Sequence, residues 1–243
     1  MKRLAIFVEG QTELHFVQRL IEEIAGYGLI DFELKILRAG TIHDLRSMGA
    51  KPEVAEMNIM IVDCGGDGSV KSAILERADL LASKGYSEII GLLDLFPKSL
   101  DVLEKYEQGL AKDLDGKAIG IRIFVAVKEV EAWFIDEFTH FTKVCETLTP
   151  GRVFDLCGYN PQTGCAEVDV NHPAALIKMV YKAVGSNYRK READTFRMLS
   201  NIDFGEIYLS VREKSKSLSQ FIEGVEGFME VSTVSDIGVA MDQ

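Results

Sequence analysis

The stretch LAIFVEGQTELHFVQRLIEEI, residues 4–24, decides the fold, because an apolar run, a glycine turn and an amphipathic segment follow one another directly. Residues 4–8 are uniformly apolar, which predicts a short buried strand. From there on, apolar residues recur at helical spacing, which predicts a helix over residues 12–24. A strand that leads through a tight turn into a helix is the repeating unit of a parallel sheet.

Two carboxylates, Glu9 and Glu13, flank the Gly-Gln-Thr turn of this stretch. Glu13 falls in the first turn of the predicted helix, where exposed amide groups and the helix dipole favour negative charge. Glu9 has no comparable structural role at the tip of an apolar strand. Glu9 is therefore a candidate functional residue, whereas Glu13 is either a helix-stabilising acid or its functional companion.

The alternation of strand and helix continues beyond this unit. Such alternation predicts an α/β fold, with a parallel sheet covered by helices on both faces. The further strands are predicted at residues 33–37, 58–62, 88–93 and 121–127, and the helices at residues 70–83 and 97–114.

Acidic residues follow several of these strands. In parallel α/β sheets, ligands bind beyond the carboxyl ends of the strands, which all meet at one edge. We therefore expect the acids to gather there and to form the functional site. They are Glu9, Asp63, Asp94, Glu129 and Glu131.

The pattern changes after about residue 138. Residues 173–184, 189–200 and 206–224 predict amphipathic helices, and the turn-rich residues 149–173 predict a surface loop. We therefore predict an α/β domain over residues 1–138 and a mostly helical region over residues 139–243, packed on it.

Composition limits the class of protein. The chain has 243 residues, 47% of them hydrophobic, but lacks the run of about eighteen apolar residues that a transmembrane helix needs. The four cysteines include no CxxC pair, and the N-terminal apolar run is too short for a signal peptide, so a cytoplasmic protein is expected. A net charge of −11 argues against coating nucleic acid by bulk electrostatics, but not against an enzyme that meets phosphate through a metal ion.

Five motifs, in order, resemble a known family. They are VEGQTE, GGDGS, GLLDLF followed by proline, KEVEAWF and VNHPAALI, which together span roughly residues 3–185. The first motif resembles the TOPRIM domain of topoisomerases, primases and OLD-type nucleases, and the whole order resembles a family of bacterial TOPRIM-like proteins. Members of that family often lie near mobile-element or phage-defence loci.

The resemblance implies roles for three acids. Glu9 corresponds to the strand-end glutamate that acts as a metal ligand or general acid/base. Glu13 matches the second glutamate, which OLD-type enzymes use for another metal ion, and Asp94 matches the first aspartate of an Asp-x-Asp pair. The cofactor implied is Mg²⁺ or Mn²⁺, which prefers hard oxygen ligands.

The chain departs from the family at Phe96, which stands where TOPRIM proteins carry the second aspartate. Glu129 and Glu131 are the natural substitutes as metal ligands, and Asp63 is a third. Each acid also has a structural interpretation. Asp94 could cap a helix beginning near Pro97, and Glu129 and Glu131 could be solvated residues at a strand end.

Other segments leave two interpretations open. GGDGS is either a phosphate-binding loop or a tight turn in which Asp67 or Ser69 caps the next helix. His172 belongs either to a structural turn with Asn171 as helix cap or to a functional site. The basic segment, residues 178–192, is either a solvated face or a contact for substrate phosphates. The candidate substrate-binding residues are Arg189, Lys190 and Arg191 of this segment, together with Lys128.

Three functional hypotheses follow. The first is a Mg²⁺-dependent phosphoryl-transfer enzyme, specifically a nuclease, with Glu9 and Asp94 as catalytic residues and nucleic acid as substrate. The second is a catalytically impaired binding subunit that works with a separate ATPase partner, because OLD-type nucleases carry an ATPase domain in the same chain. The third and weakest is a small-molecule phosphatase or nucleotide hydrolase.

Overall fold

The computed structural model describes residues 1–26, 28–66, 68–189 and 191–235, with side chains described through residue 230. Its first half alternates strands and helices, as predicted, except between residues 30 and 63, where three strands follow one another. A short 3₁₀ turn at Leu100–Val102 precedes the third helix. The elements are β1 (Lys2–Val8), α1 (Gln11–Ala25), β2 (Ile30–Arg38), β3 (Thr41–Gly49), β4 (Met57–Asp63), α2 (Ser69–Ser83), β5 (Glu88–Asp94), α3 (Leu103–Ala111) and β6 (Gly120–Ala126).

The strands form one six-stranded sheet in the order β3-β2-β4-β1-β5-β6. All neighbouring strands are parallel except β2 and β3, which are antiparallel. β1 lies near the centre, where Val8 is paired with both Asp63 of β4 and Leu92 of β5. This register places the carboxyl ends of β1, β4 and β5 side by side, and the functional residues follow those ends.

Helices cover both faces of the sheet. Successive side chains of β1 enter two different apolar clusters, because side chains alternate between the faces of a strand. Leu4 and Ile6 pack in the cluster that contains Phe16 of α1, whereas Ala5 and Phe7 pack with residues of α2 and α3. The prediction of an α/β fold is confirmed, and the predicted parallel sheet covered on both faces is confirmed except at its edge, where β3 is antiparallel to β2.

The second half is helical, and the described residues after 138 contain no strand. A π-helical turn at Ile207–Val211 joins the tenth and eleventh helices. Side chains from this half enter the same apolar cluster as Phe16, among them Ile177 and Phe221. The division at residues 138 and 139 stays a prediction. The helices are α4 (Glu131–Asp136), α5 (Thr139–Val144), α6 (Pro150–Cys157), α7 (Ala166–Asp169), α8 (Pro173–Ala183), α9 (Glu192–Asn201), α10 (Phe204–Glu206), α11 (Arg212–Lys214) and α12 (Lys216–Ser235).

Three predicted elements were wrong. The helix predicted over residues 97–114 begins only at Leu103, so Pro97 does not lie in its first turn. The predicted loop over residues 149–173 contains α6 and α7, and the Thr149 side chain caps α6 by accepting from the Arg152 amide. The helix predicted over residues 206–224 is interrupted near Ser215, where α12 begins anew.

Strand β3 was missed altogether. Most of its residues are exposed, because it lies at the edge of the sheet and pairs only with β2. An edge strand of mixed polarity lacks the continuous apolar run that marks a buried parallel strand. In the part of the chain that the structure describes, every helix is too short or too polar to span a bilayer.

A buried acid follows α4 and gives the fold a pH dependence. Glu137 is 1% exposed, and burial raises its pKa to about 7 from an ordinary value of 4.5. Its carboxylate accepts hydrogen bonds from the amides of Thr139 and Asp203. Because the folded-state pKa is raised, the stability that protonation supplies is present below pH 4.5 and is lost as the pH rises through about 7.

We expect Glu137→Gln to remove this titration. The difference in unfolding free energy, variant minus wild type, should increase by roughly 3 kcal/mol as the pH is raised from about 4 to about 8. Urea denaturation at a series of pH values measures the difference, and Glu146→Gln, at an exposed position, is the control. A difference between variant and wild type that stays constant with pH would contradict the assignment.

Candidate metal centre

An acidic cleft of about 560 Å³ opens at the carboxyl edge of the sheet. It lies where β1, β4 and β5 end, which is the edge at which parallel α/β sheets bind ligands. Each acid on its walls is at least nine-tenths buried. These wall acids are Glu9, Glu13, Asp63, Asp94 and Glu129.

Three carboxylates converge at this cleft. One oxygen from each of Asp94, Glu129 and Glu131 lies within 4.8 Å of the others, close enough to share one cation. Asp94 and Glu129 are 7% exposed, and Glu131 is fully buried. The structure therefore brings Asp94 together with Glu129 and Glu131, the two acids that the sequence offered as its companion metal ligands.

Local backbone structure holds Asp94 in place. It is the last residue of β5, and its Oδ1 accepts a hydrogen bond from the Val130 amide at 3.1 Å. This contact joins the end of β5 to the turn after β6. The interpretation of Asp94 as a helix cap near Pro97 is wrong, because no helix begins there and the carboxylate is bound to the neighbouring turn.

The turn after β6 places Glu129 and Glu131 beside Asp94. β6 ends at Ala126, and Lys128 adopts a left-handed conformation with a φ of 67°. The chain then reverses, so Glu131 is the first residue of α4. The interpretation of Glu129 and Glu131 as solvated strand-end residues is wrong, because both are buried and neither lies on a strand.

Two contacts from the helical half orient these glutamates. The Ala174 amide, in the first turn of α8, donates to Glu129 Oε2 at 3.1 Å. The Tyr188 hydroxyl donates to Glu131 Oε1 at 2.7 Å. Both donors come from the second half of the chain, so that half helps to build the site.

Tyr188 is a residue that the sequence did not identify as part of the site. It is 2% exposed, and burial together with the nearby Glu131 carboxylate raises the pKa of its phenol, so it stays protonated and can donate. The only signal was an aromatic residue within the basic segment. Its contact with Glu131 joins residues 57 positions apart, which local patterns do not encode.

Glu9 and Glu13 face the same cleft but lie outside the group of three converging acids. Glu13 lies in the first turn of α1, as predicted, and its carboxylate folds back toward Gly10. A Cβ at Gly10 would lie 3.2 Å from Glu13 Oε2, so a larger residue there would crowd the Glu13 carboxylate. The Glu9 carbonyl accepts a hydrogen bond from the Gly66 amide at 2.8 Å, which connects the end of β1 to the GGDGS sequence, residues 65–69, called the glycine loop below.

Asp63 is a further acid of the cleft. It ends β4, and its Oδ1 accepts from the Gly65 amide at 2.8 Å. Burial raises the pKa of this carboxyl above its ordinary value. In the glycine loop, Asp67 lies outside the described residues, and Ser69 begins α2 without capping it, since its Oγ donates to the Cys64 carbonyl.

The predicted substrate-binding residues lie in two places. Lys128 donates from Nζ to Asn171 Oδ1 at 3.1 Å, and the Asn171 side chain does not cap α8, which was one of the two interpretations of this turn. The cap position of α8 is instead His172. Arg189 is exposed and pairs with Asp194 at 3.4 Å.

The remaining two predicted substrate-binding residues, Arg191 and Lys190, also belong to the basic segment. Arg191 is exposed and immediately precedes α9, and Lys190 lies outside the described residues. Because Tyr188 contacts Glu131, the basic segment is anchored beside the acidic cleft.

The comparisons with known proteins add no relative: no family model matches the chain, and neither curated proteins nor solved structures give a significant match. The residues of the cleft and their arrangement are therefore the basis for the function proposed below.

Proposed function

We propose that this protein is a divalent-metal-dependent phosphoryl-transfer enzyme with a TOPRIM-like fold, and specifically a nuclease. The observation that carries the proposal is the convergence of Asp94, Glu129 and Glu131 within 4.8 Å in a buried site beside an open cleft. Three carboxylates are costly to keep ionised together in a buried site unless a cation neutralises them.

The donor set fits Mg²⁺ or Mn²⁺. All three side chains offer hard carboxylate oxygens, which these ions prefer over nitrogen or sulfur ligands. When bound, such an ion polarises a phosphate oxygen and lowers the pKa of a coordinated water. Asp94, Glu129 and Glu131 would hold it, with the Ala174 amide and the Tyr188 hydroxyl fixing the directions of the two glutamates.

Other residues of the cleft have roles of their own in this proposal. Glu9 lines the cleft together with Asp94, where its carboxylate can accept a proton from an attacking water. Glu13 and Asp63 on the same wall can hold a second ion, as the TOPRIM resemblance implies for Glu13. Lys128 and the basic segment that follows Tyr188 supply positive charge for substrate phosphates.

A second candidate function is favoured by Phe96. A TOPRIM-like protein without the second aspartate could keep the fold but lose catalysis, and serve as a binding subunit with a separate ATPase in a mobile-element or phage-defence system. The positions of Glu129 and Glu131 favour the enzyme, because they supply carboxylates beside Asp94.

Cleavage assays separate the two functions. Purified protein is incubated with plasmid DNA, single-stranded DNA, RNA and nucleotides in Mn²⁺, Mg²⁺ or EDTA. We expect cleavage of a phosphodiester substrate in Mn²⁺ and none in EDTA. Binding of nucleic acid without cleavage under any condition supports the subunit, and hydrolysis of nucleotides alone supports the phosphatase.

A further inference from the structure

An exposed aromatic pair lies at the mouth of the acidic cleft. Phe96 lines the cleft together with Asp94 and Glu129, yet 37% of its surface is exposed, which is high for a large apolar side chain. The exposed His172 ring packs against it edge to face, with 5.5 Å between the ring centroids. Because Phe96 lines the cleft and stays partly exposed, part of its side chain is accessible to a ligand that enters.

The backbone fixes this pair beside the carboxylates. The Phe96 amide donates to the Lys128 carbonyl at 2.8 Å, two residues after Asp94 leaves β5. His172 occupies the cap position of α8, whose first turn also holds Glu129 through the Ala174 amide. The same two segments therefore position the aromatic pair and the carboxylates.

We propose that Phe96 and His172 form a stacking subsite for an unpaired nucleobase, so that the substrate is single-stranded nucleic acid. This inference rests on the proposed phosphoryl-transfer function and assigns its substrate class. A base within a duplex has both faces covered by its neighbours, whereas an unpaired base can place one face on Phe96. Stacking of a base on an aromatic side chain contributes about 1–3 kcal/mol and tolerates any sequence.

The charges around the pair suit the same ligand. Lys128 Nζ contacts Asn171, the neighbour of His172, which brings a cation to the rim where the next phosphate of the strand would pass. With a net charge of −11, the protein cannot rely on a general attraction for nucleic acid. A local combination of one aromatic pair, a cation and a metal-binding cleft supplies specific contact instead.

Binding measurements test the subsite without relying on cleavage. Fluorescence anisotropy in Ca²⁺ compares a short single-stranded oligonucleotide with an otherwise identical one whose bases are removed. We expect Phe96→Ala to weaken binding of the intact oligonucleotide about ten-fold and to leave the abasic one unchanged. Phe96→Trp should restore binding, because it restores an aromatic face.

Phe154→Ala is the matched control, since Phe154 is 51% exposed on α6 and does not line the cleft. Equal losses for intact and abasic strands, no loss for Phe96→Ala, or no binding by the wild type would overturn the subsite. Base-dependent binding without any cleavage would support the subsite and count against the enzyme. Cleavage that does not depend on Phe96 or on bases would support the enzyme alone.

Discussion

Asp94→Asn is expected to lower Mn²⁺-dependent cleavage about a thousand-fold or more. A metal ion contributes several kcal/mol of charge stabilisation to the transition state, and each 1.36 kcal/mol corresponds to about ten-fold in rate. Asparagine keeps the oxygen that accepts from the Val130 amide, so the turn that carries Glu129 and Glu131 should stay in place. The loss can therefore be assigned to the missing charge rather than to unfolding.

The matched control is Asp79→Asn, which changes an exposed carboxylate on α2 that does not line the cleft. Initial rates with a single-stranded substrate at saturating Mn²⁺ give the comparison, and circular dichroism verifies the fold. Wild-type rates in the Asp94→Asn variant would show that the three carboxylates do not hold the catalytic ion. If Asp94→Asn is unfolded, Asp94→Glu takes its place. The longer side chain of glutamate should hold the ion in a misplaced position, so this variant should also lose most of its activity.

Glu131→Gln is expected to remove most of the stabilisation that Mn²⁺ gives to the folded protein. A ligand that binds only the folded state at a hundred times its dissociation constant adds about 2.7 kcal/mol to the unfolding free energy. For a protein of this size, that corresponds to a rise in melting temperature of several degrees. Glutamine keeps an oxygen that can accept from Tyr188, so the variant loses mainly a charge.

The same variant should be at least as stable as wild type in EDTA. Ionised carboxylates whose oxygens lie within 4.8 Å of one another repel by roughly 3 kcal/mol or more per pair at an effective dielectric constant of about 20, and the substitution replaces one of the three with a neutral amide. Thermal denaturation in EDTA and in Mn²⁺ measures both effects. The control is Glu104→Gln, at an exposed position of α3, which should keep the full response to Mn²⁺. An undiminished Mn²⁺ response in Glu131→Gln would contradict the proposed ligand set.

The sequence predicted the parts of the site that local patterns encode. β1, β4 and β5 each contain an apolar run, and an acid follows or ends each of these strands, so the general rule for parallel sheets places Glu9, Asp63 and Asp94 at one edge. The sequence also shows Phe96 where the resemblance to TOPRIM proteins implies a second aspartate, which made Glu129 and Glu131 the candidate replacement ligands.

The rest depends on contacts between distant segments. Glu131 lies at the start of α4 rather than on a strand, because the chain turns at Lys128, and an alternating pattern of acids cannot show such a turn. The donors to Glu129 and Glu131, Ala174 and Tyr188, lie 45 and 57 residues further along the chain. Nothing in a local pattern links an alanine amide or a tyrosine to a metal site.

The most direct test of the central claim is a crystal structure of the protein grown in Mn²⁺, with anomalous diffraction to locate the ion. We predict an anomalous peak at coordination distance from oxygens of Asp94, Glu129 and Glu131, in the cleft next to Glu9. Crystals in saturating Mn²⁺ that show no peak between these three carboxylates, or that show the carboxylates turned away from one another, would contradict the account.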